Sequence, residues 1–270
     1  MVFVRRFVIL SLACLLLAAC ATSPTGRRQL MLVSEDSAIA SSKQAYISTV
    51  DELNKAGKVA KDEAIIRRVD QITGRLITEA IKMRPDTADW EWSVVVIDDP
   101  ETVNAWCMAG GRMAIYTGLI EQVKPSDDEL AQVMAHEISH ALAKHSAEKM
   151  SMQIATSVGV AAVGIASDNT GVALSGAALT AMLAVNLPNS RAAEKEADRI
   201  GIELAAKAGY DPAAAATLWK KMGEASKSGP PQFLSTHPAP ENRQAELARL
   251  EPKMRQYYSP DAEHPVYQLQ

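Results

Sequence analysis

The chain has 270 residues, 47% of them hydrophobic and 22% charged, with a net charge of -4. That composition suits one folded domain with an ordinary core plus appendages, and the lack of a basic excess leaves no electrostatic footprint for nucleic acid.

Residues 1–19 read as a secretory signal peptide. Arg5 and Arg6 form a positive start, 7–19 are apolar but too short for a comfortable permanent span, and small residues precede Cys20. The end of this stretch, Leu17-Ala18-Ala19-Cys20, resembles a bacterial lipoprotein box, in which the cysteine is lipidated and becomes the mature N-terminus. An ordinary cleaved signal with a chance cysteine is the alternative. Ala21 follows where an aspartate would retain a lipoprotein at the inner membrane, so the resemblance favours the outer membrane. Cys14 leaves with the signal and Cys20 carries the lipid, so Cys107 is the one remaining thiol and no intramolecular disulfide is expected.

Residues 20–33 read as a lipidated tether with a short extended end. Ser34, followed by Glu35 and Asp36, caps a helix to about residue 54, which Gly57 ends. Over 61–83, Ile65, Ile66, Val69, Ile72, Leu76, Ile77 and Ile81 recur at intervals of three and four, the pattern of an amphipathic helix. Residues 90–97 alternate and are β-branched, which predicts a strand broken by Asp98-Asp99-Pro100. Two further strands, 103–108 and 112–117, flank Ala109-Gly110-Gly111 and predict a hairpin. A strand beside a metal-binding helix can offer its free edge to an extended peptide, and Asn104 lies on that stretch. A polar residue closing a strand is an equal reading of Asn104.

Ser126 with Glu129 marks a capping box, and 127–143 follow with Leu130, Val133, Met134, Ile138 and Leu142 at helical spacing. Residues four apart on a helix lie one above the other, so His136 and His140 can aim both imidazoles at one point, which suits zinc. Glu137 falls about 100° round the helix. There it can reach a water on the metal and act as general base. The alternative is a buried amphipathic helix with two polar residues facing a wet pocket, but buried histidines and a carboxylate need partners. His145 is five residues beyond His140, off the ligand face and off the metzincin spacing, and reads as a surface residue.

Residues 152–187 are an apolar block interrupted by Asp168-Asn169-Thr170-Gly171, each half being about 16 residues where roughly 20 are needed to cross a bilayer. A helical hairpin packed on the domain is therefore favoured over a transmembrane pair, with a membrane-dipping hairpin as the alternative. Between Ser151 and Pro188 such a hairpin separates the halves of the zinc site, and residues 155–184 can act as a lid that admits only flexible chains.

Ser190 caps a helix over 191–208, ended by Gly209. Glu194 and Asp198 share one of its faces, whereas Glu196 points elsewhere. Glu194 is thus the candidate third ligand, and Asp198 the candidate acceptor for the free ring N–H of a ligating histidine. Two histidines and a glutamate leave the fourth position to water, as in catalytic zinc sites. Asp211-Pro212 opens a helix through Trp219 and Met222, and Ser235-Thr236-His237-Pro238 follows a proline-rich loop. His237 is either a surface histidine before proline or a donor to the oxyanion of a tetrahedral intermediate. A final helix covers 241–250, and 251–270 read as a mobile tail.

The segments Met134-Ala135-His136-Glu137-Ile138-Ser139-His140, Ser190-Arg191-Ala192-Ala193-Glu194-Lys195-Glu196-Ala197-Asp198 and Ser235-Thr236-His237-Pro238 together resemble the gluzincin metallopeptidase family of HtpX, the CAAX prenyl proteases and a mitochondrial quality-control relative. Asn104-Ala105-Trp106 with Gly110-Gly111 resembles that family's edge strand, and Thr25-Gly26-Arg27-Arg28-Gln29-Leu30 resembles the start of its periplasmic lipoprotein branch, typified by LoiP. The resemblance implies an α+β, mainly helical zincin-like domain over 34–250 with a small sheet beside the H-E-x-x-H helix. It implies one Zn2+ on His136, His140 and Glu194, with Glu137 as base, Asp198 behind a ligand, His237 as transition-state helper, and Asn104 and Ala105 on the substrate strand. The sequence departs from HtpX-like members in lacking clear membrane spans, unless 152–187 insert, and from BepA in ending without a helical-repeat domain. The expected protein is a lipid-anchored zinc endopeptidase of the periplasmic face of the envelope that degrades misfolded or unassembled polypeptides. A zinc-dependent chaperone lipoprotein that binds client strands without cleavage is the alternative, and it leaves Glu137 unexplained.

Overall fold

The computed structural model describes residues 20–166, 187–225, 232–237 and 242–269. The chain separates into two compact units, residues 1–38 with 144–189 and residues 39–143 with 190–270. The fold is α+β and mainly helical, with two small sheets.

Residues 20–30 are a hairpin rather than a tether. Strand β1 (Cys20–Thr22) pairs antiparallel with β2 (Arg28–Leu30), Cys20 lying opposite Leu30. Ser23 builds the turn: its Oγ accepts from Arg27 N at 3.1 Å and its backbone N donates to Arg27 O at 2.8 Å. Helix α1 (Glu35–Lys55) follows, and then α2 (Glu63–Met83), capped by Asp62, whose carboxylate accepts from Ala64 N and Ile65 N. Its buried face is Val69, Ile72, Leu76, Ile77 and Ala80, the stripe that the spacing predicts.

Strands β3 (Ser93–Ile97), β4 (Ala105–Met108) and β5 (Arg112–Tyr116) form a sheet in the order β3-β5-β4. β4 and β5 make the expected antiparallel hairpin, while β3 pairs parallel with β5. At the bend Gly111 has φ +80 and a side chain there would come within 2.4 Å of the buried Trp92 ring, so only glycine fits. β4 is left as an edge strand.

Helix α3 (Thr117–Val123) leads to α4 (Asp127–Leu142), which begins with the expected capping box: Ser126 Oγ accepts from Glu129 N and the Glu129 carboxylate accepts from Ser126 N. α4 packs against α2 and β4 and is buried on nearly every side, so it is the central helix of the larger unit. Lys144, in the left-handed region at φ 59, separates it from α5 (His145–Ala166). In the smaller unit α5 holds the N-terminal hairpin through Glu148, only 2% exposed, whose carboxylate accepts from Arg27 at 2.7 and 2.6 Å and from Gln29 at 2.8 Å. His145, read as a surface residue, is buried, at 7% exposure. The first half of the apolar block continues α5 to Ala166, and the rest, 167–186, lies outside the described residues, as do the hairpin and lid readings that depend on it.

Helix α6 (Leu187–Lys207) is followed by α7 (Ala214–Ala225), α8 (Gln232–Thr236) and α9 (Arg243–Met254), which runs four residues beyond the expected end. α7 packs against α4 and α9. The residues after α9, read as a mobile tail, lie along α2. Tyr267 N donates to Gly74 O at 3.0 Å, and Tyr267 and Leu269 pack against the core. A side chain on Gly74 would meet Val266 at 2.6 Å, so that glycine is what lets the tail lie close.

Candidate metal centre

α4 supplies two histidines from its buried length. His136 and His140 have their Nε2 atoms 3.0 Å apart, with ring planes at 78°, so the four-residue spacing converges both imidazoles on one point. Glu137 points beside them, 2% exposed. Its Oε1 makes no hydrogen bond, the nearest charged partner being His237 Nε2 at 3.4 Å.

α6 brings the acids. Glu194 is buried, with Oε2 3.3 Å from His136 Nε2 and Oε1 3.4 Å from His140 Nε2. Asp198, one turn on, reaches the opposite side of the His136 ring: Oδ1 lies 3.1 Å from Nδ1. Glu196 is buried but is not among the groups facing this point. The helices approach closely because Gly201 sits on the same face, where a Cβ would be 3.1 Å from His136 N.

The short helix α8 delivers His237. Phe233 N donates to Val103 O at 3.0 Å, anchoring α8 to the residue before Asn104, and the Phe233 ring stacks on the His237 ring at 4.6 Å. His237 Nδ1 is 3.3 Å from Glu194 Oε2 and 3.3 Å from His136 Nε2. His136, His140, Glu194 and His237 thus offer four donor atoms, all within 4.8 Å of one another, that could hold a metal ion. The fourth position, expected to be left to water, faces a third imidazole.

Electrostatics follow from this crowding. Burial and the Arg243 charge oppose a proton on His136, but its bonds to Asp198 and Glu194 outweigh both and push it up to about 9. Burial likewise opposes the Glu194 charge, yet His136 and His237 hold its carboxyl well below the usual carboxylate range. Burial pushes the Glu137 carboxyl up, against the pull of His237 and His136. Burial raises Cys107 on β4, a free buried thiol, and the nearby Glu137 adds to it.

Asn104 and Ala105 are both buried at the start of β4, where Asn104 Oδ1 accepts from Ala105 N at 3.0 Å and Asn104 O accepts from Tyr116 N at 3.1 Å. β4 packs on α4, so the edge strand runs beside the metal-site helix.

Sequence reasoning missed Arg243. Its guanidinium is buried at 3% exposure, donates from Nη2 to Asp198 Oδ1 at 2.5 Å and from Nη1 to Glu194 Oε2 at 3.4 Å, and stacks on Trp219 with its carbon 3.6 Å from the ring centre. One signal was available: Arg243, Leu247 and Met254 are the buried residues of α9 and share a face, so the apolar stripe points back to the arginine.

Residues 64–251 match peptidase family M48. The chain is 36% identical over 160 residues to the mitochondrial metalloendopeptidase OMA1 of Arabidopsis thaliana, covering 58% of this chain and 31% of the relative. It is 31% identical over 240 residues to the mitochondrial metalloendopeptidase OMA1 of Bos taurus, with 85% and 45% covered. To the beta-barrel assembly-enhancing protease of Escherichia coli (strain K12) it is 29% identical over 219 residues, with 76% and 43% covered. The chain spans less than half the length of each of these relatives.

Proposed function

We propose that this chain, which belongs to peptidase family M48, is a zinc-dependent endopeptidase of the bacterial cell envelope that acts on misfolded or unassembled proteins. The observation that carries the reading is the buried Glu137 carboxylate, without a hydrogen bond on Oε1, beside four converging metal donors. The donors suit zinc in their chemistry, the imidazoles of His136 and His140 and the carboxylate of Glu194, with the His237 imidazole beside them. They suit zinc in spacing too: a tetrahedral ion with bonds of about 2.0–2.1 Å keeps its ligand atoms roughly 3.3 Å apart, and the close donor pairs here lie 3.0–3.4 Å apart.

His136, His140 and Glu194 would hold the zinc, and when bound it would supply a Lewis acid for the scissile carbonyl and for a water near neutral pH. The chain's own groups do the rest. Glu137, in a pocket that raises its proton affinity, takes the proton of the attacking water and passes it to the leaving amine. Asp198 accepts the Nδ1 proton of His136 and so keeps Nε2 free to ligate. His237, beside these donors with its Nε2 facing Glu137, is the group that would donate to the carbonyl oxygen as negative charge gathers there. The edge of β4, entered at Asn104 and Ala105, holds an extended substrate by backbone hydrogen bonds. A binder that does not cut has no use for a buried, isolated Glu137, which disfavours the chaperone reading.

Lipid attachment at Cys20, the first residue of β1, and outer-membrane residence are part of the proposal. They rest on Leu17-Ala18-Ala19-Cys20 and Ala21, and the lipoprotein branch of the family on Thr25-Gly26-Arg27-Arg28-Gln29-Leu30. Among the described residues no helix is long and apolar enough to cross a membrane.

The test is Glu137→Gln, assayed for bound zinc and for cleavage of casein. Zinc content stays at one ion per chain and hydrolysis falls about 10²–10⁴-fold, the usual contribution of a general base. A zinc-replete variant with ordinary turnover overturns the proposal.

A further inference from the structure

We infer that Arg243 is a positioning residue of the metal centre, which acts through Asp198 to decide which ring nitrogen His136 turns to the metal. The inference rests on the zinc-site reading above and goes beyond it.

The ring of His136 has two ways to place its proton. Its Nδ1 faces Asp198 Oδ1 at 3.1 Å, and Arg243 Nη2 lies 3.0 Å from Nδ1 and 3.2 Å from Nε2. If Nδ1 accepts from the guanidinium, the ring proton sits on Nε2, where it faces Glu194 and His140 and blocks ligation. If Nδ1 donates to Asp198, Nε2 keeps its lone pair turned toward the other metal donors, with the guanidinium drawn to Asp198. The second arrangement needs the Asp198 carboxylate held against Nδ1. Arg243 holds it there, since its Nη2 is 2.5 Å from the same Oδ1 atom that faces the histidine.

An arginine buried to 3% exposure whose Nε has no hydrogen-bond partner is a poor device for stability alone. Here it is held from outside the ligand set, on Trp219 of α7, so its geometry does not depend on the metal. A lysine would keep the charge but lose the planar face that stacks and the fork that spans Asp198 and Glu194.

The experiment measures zinc affinity by competition with a chromogenic chelator on the purified chain, for wild type, Arg243→Gln, Asp198→Asn, the double variant and Arg243→Lys, with casein cleavage alongside. Arg243→Gln and Asp198→Asn each weaken zinc about 10–100-fold, the range for lost partners of a ligating histidine. Because both act on one proton, the double variant stays within about threefold of the worse single one. Arg243→Lys restores part of the loss. A folded Arg243→Gln that binds zinc like wild type, or single effects that simply multiply in the double variant, overturns the inference. If Arg243→Gln does not fold, Arg243→Lys decides, since zinc binding equal to wild type overturns it and at least about threefold weaker binding supports it. A wild-type chain that binds zinc without cutting casein defeats the peptidase reading while leaving this comparison intact, and one that binds no zinc defeats both.

Discussion

Gly201→Ala sets helix propensity against packing at the metal ligand itself. In the interior of α6 alanine is favoured over glycine by about 0.8–1 kcal/mol. The new methyl carbon, however, lies 3.1 Å from His136 N, 3.2 Å from His136 Cα and 3.3 Å from Ala135 C. Comfortable carbon contacts are roughly 3.5–4.0 Å, so the helices must part by some tenths of an ångström. The obstructing atoms are all backbone of a buried helix, and no flexible side chain can swing away. Overpacking of this kind costs about 1–3 kcal/mol. The net expectation is a loss of about 1 kcal/mol, or roughly 2–4 °C in Tm for a domain of this size. Gly201 also shares a face with Glu194 and Asp198, seven and three residues before it, so parting α6 from α4 draws both acids from His136. A displacement near half an ångström lowers turnover by about tenfold, given that 1 Å costs about a hundredfold. Urea unfolding of the zinc-free protein, zinc competition and peptide kinetics measure the three effects. A variant more stable by about 1 kcal/mol with unchanged zinc affinity and turnover would show that propensity alone acts and refute the close packing.

Glu194→Ala loses bound zinc by metal analysis, whereas Glu196→Ala retains it and loses only stability, because position 194 and not 196 belongs to the donor group; the reverse order would put the register off by two. Burial opposes the charge on Glu129, but bonds from Lys221, Ser126 N and Thr217 outweigh it and lower its pKa. Its stabilisation is therefore fully present above the unfolded value of about 4.3 and is lost as pH falls through the lower folded value. Glu129→Gln costs about 1 kcal/mol at pH 7, and urea titrations of the two proteins must converge in strong acid. Cys20→Ser moves the protein from the membrane fraction to the soluble fraction with its peptidase kinetics unchanged, and retention on membranes would reject the lipid anchor.

The parts of the site that a local rule governs were legible in the sequence. The capping box at Ser126 and Glu129, the four-residue step from His136 to His140 and the shared face of Glu194 and Asp198 depend only on helix geometry, and the structure brings all four acid and imidazole groups to one place. The β4–β5 hairpin was legible for the same reason, since its glycines announce the bend. The parallel pairing of β3 with β5 was not, because alternation identifies a strand but not its neighbour. The N-terminal segment misled because Arg27 and Gln29 look solvent-bound until Glu148, about 120 residues away, is seen buried between them.

His237 marks where the sequence stops short, since its role depends on contacts with no local trace. As a histidine before proline it carries no helical signature, and the five-residue α8 is too short to declare a face. What places it is the bond from Phe233 N to Val103 O, between residues 130 positions apart, together with the Phe233 ring stacked on the imidazole. That anchor lies immediately before Asn104 and the edge strand. The polypeptide that would dock on β4 and the imidazole that would serve its carbonyl are therefore positioned by one stretch of backbone. A composition or spacing rule reads elements singly, and this site is assembled by a helix of five residues gripping a strand that the sequence could only name.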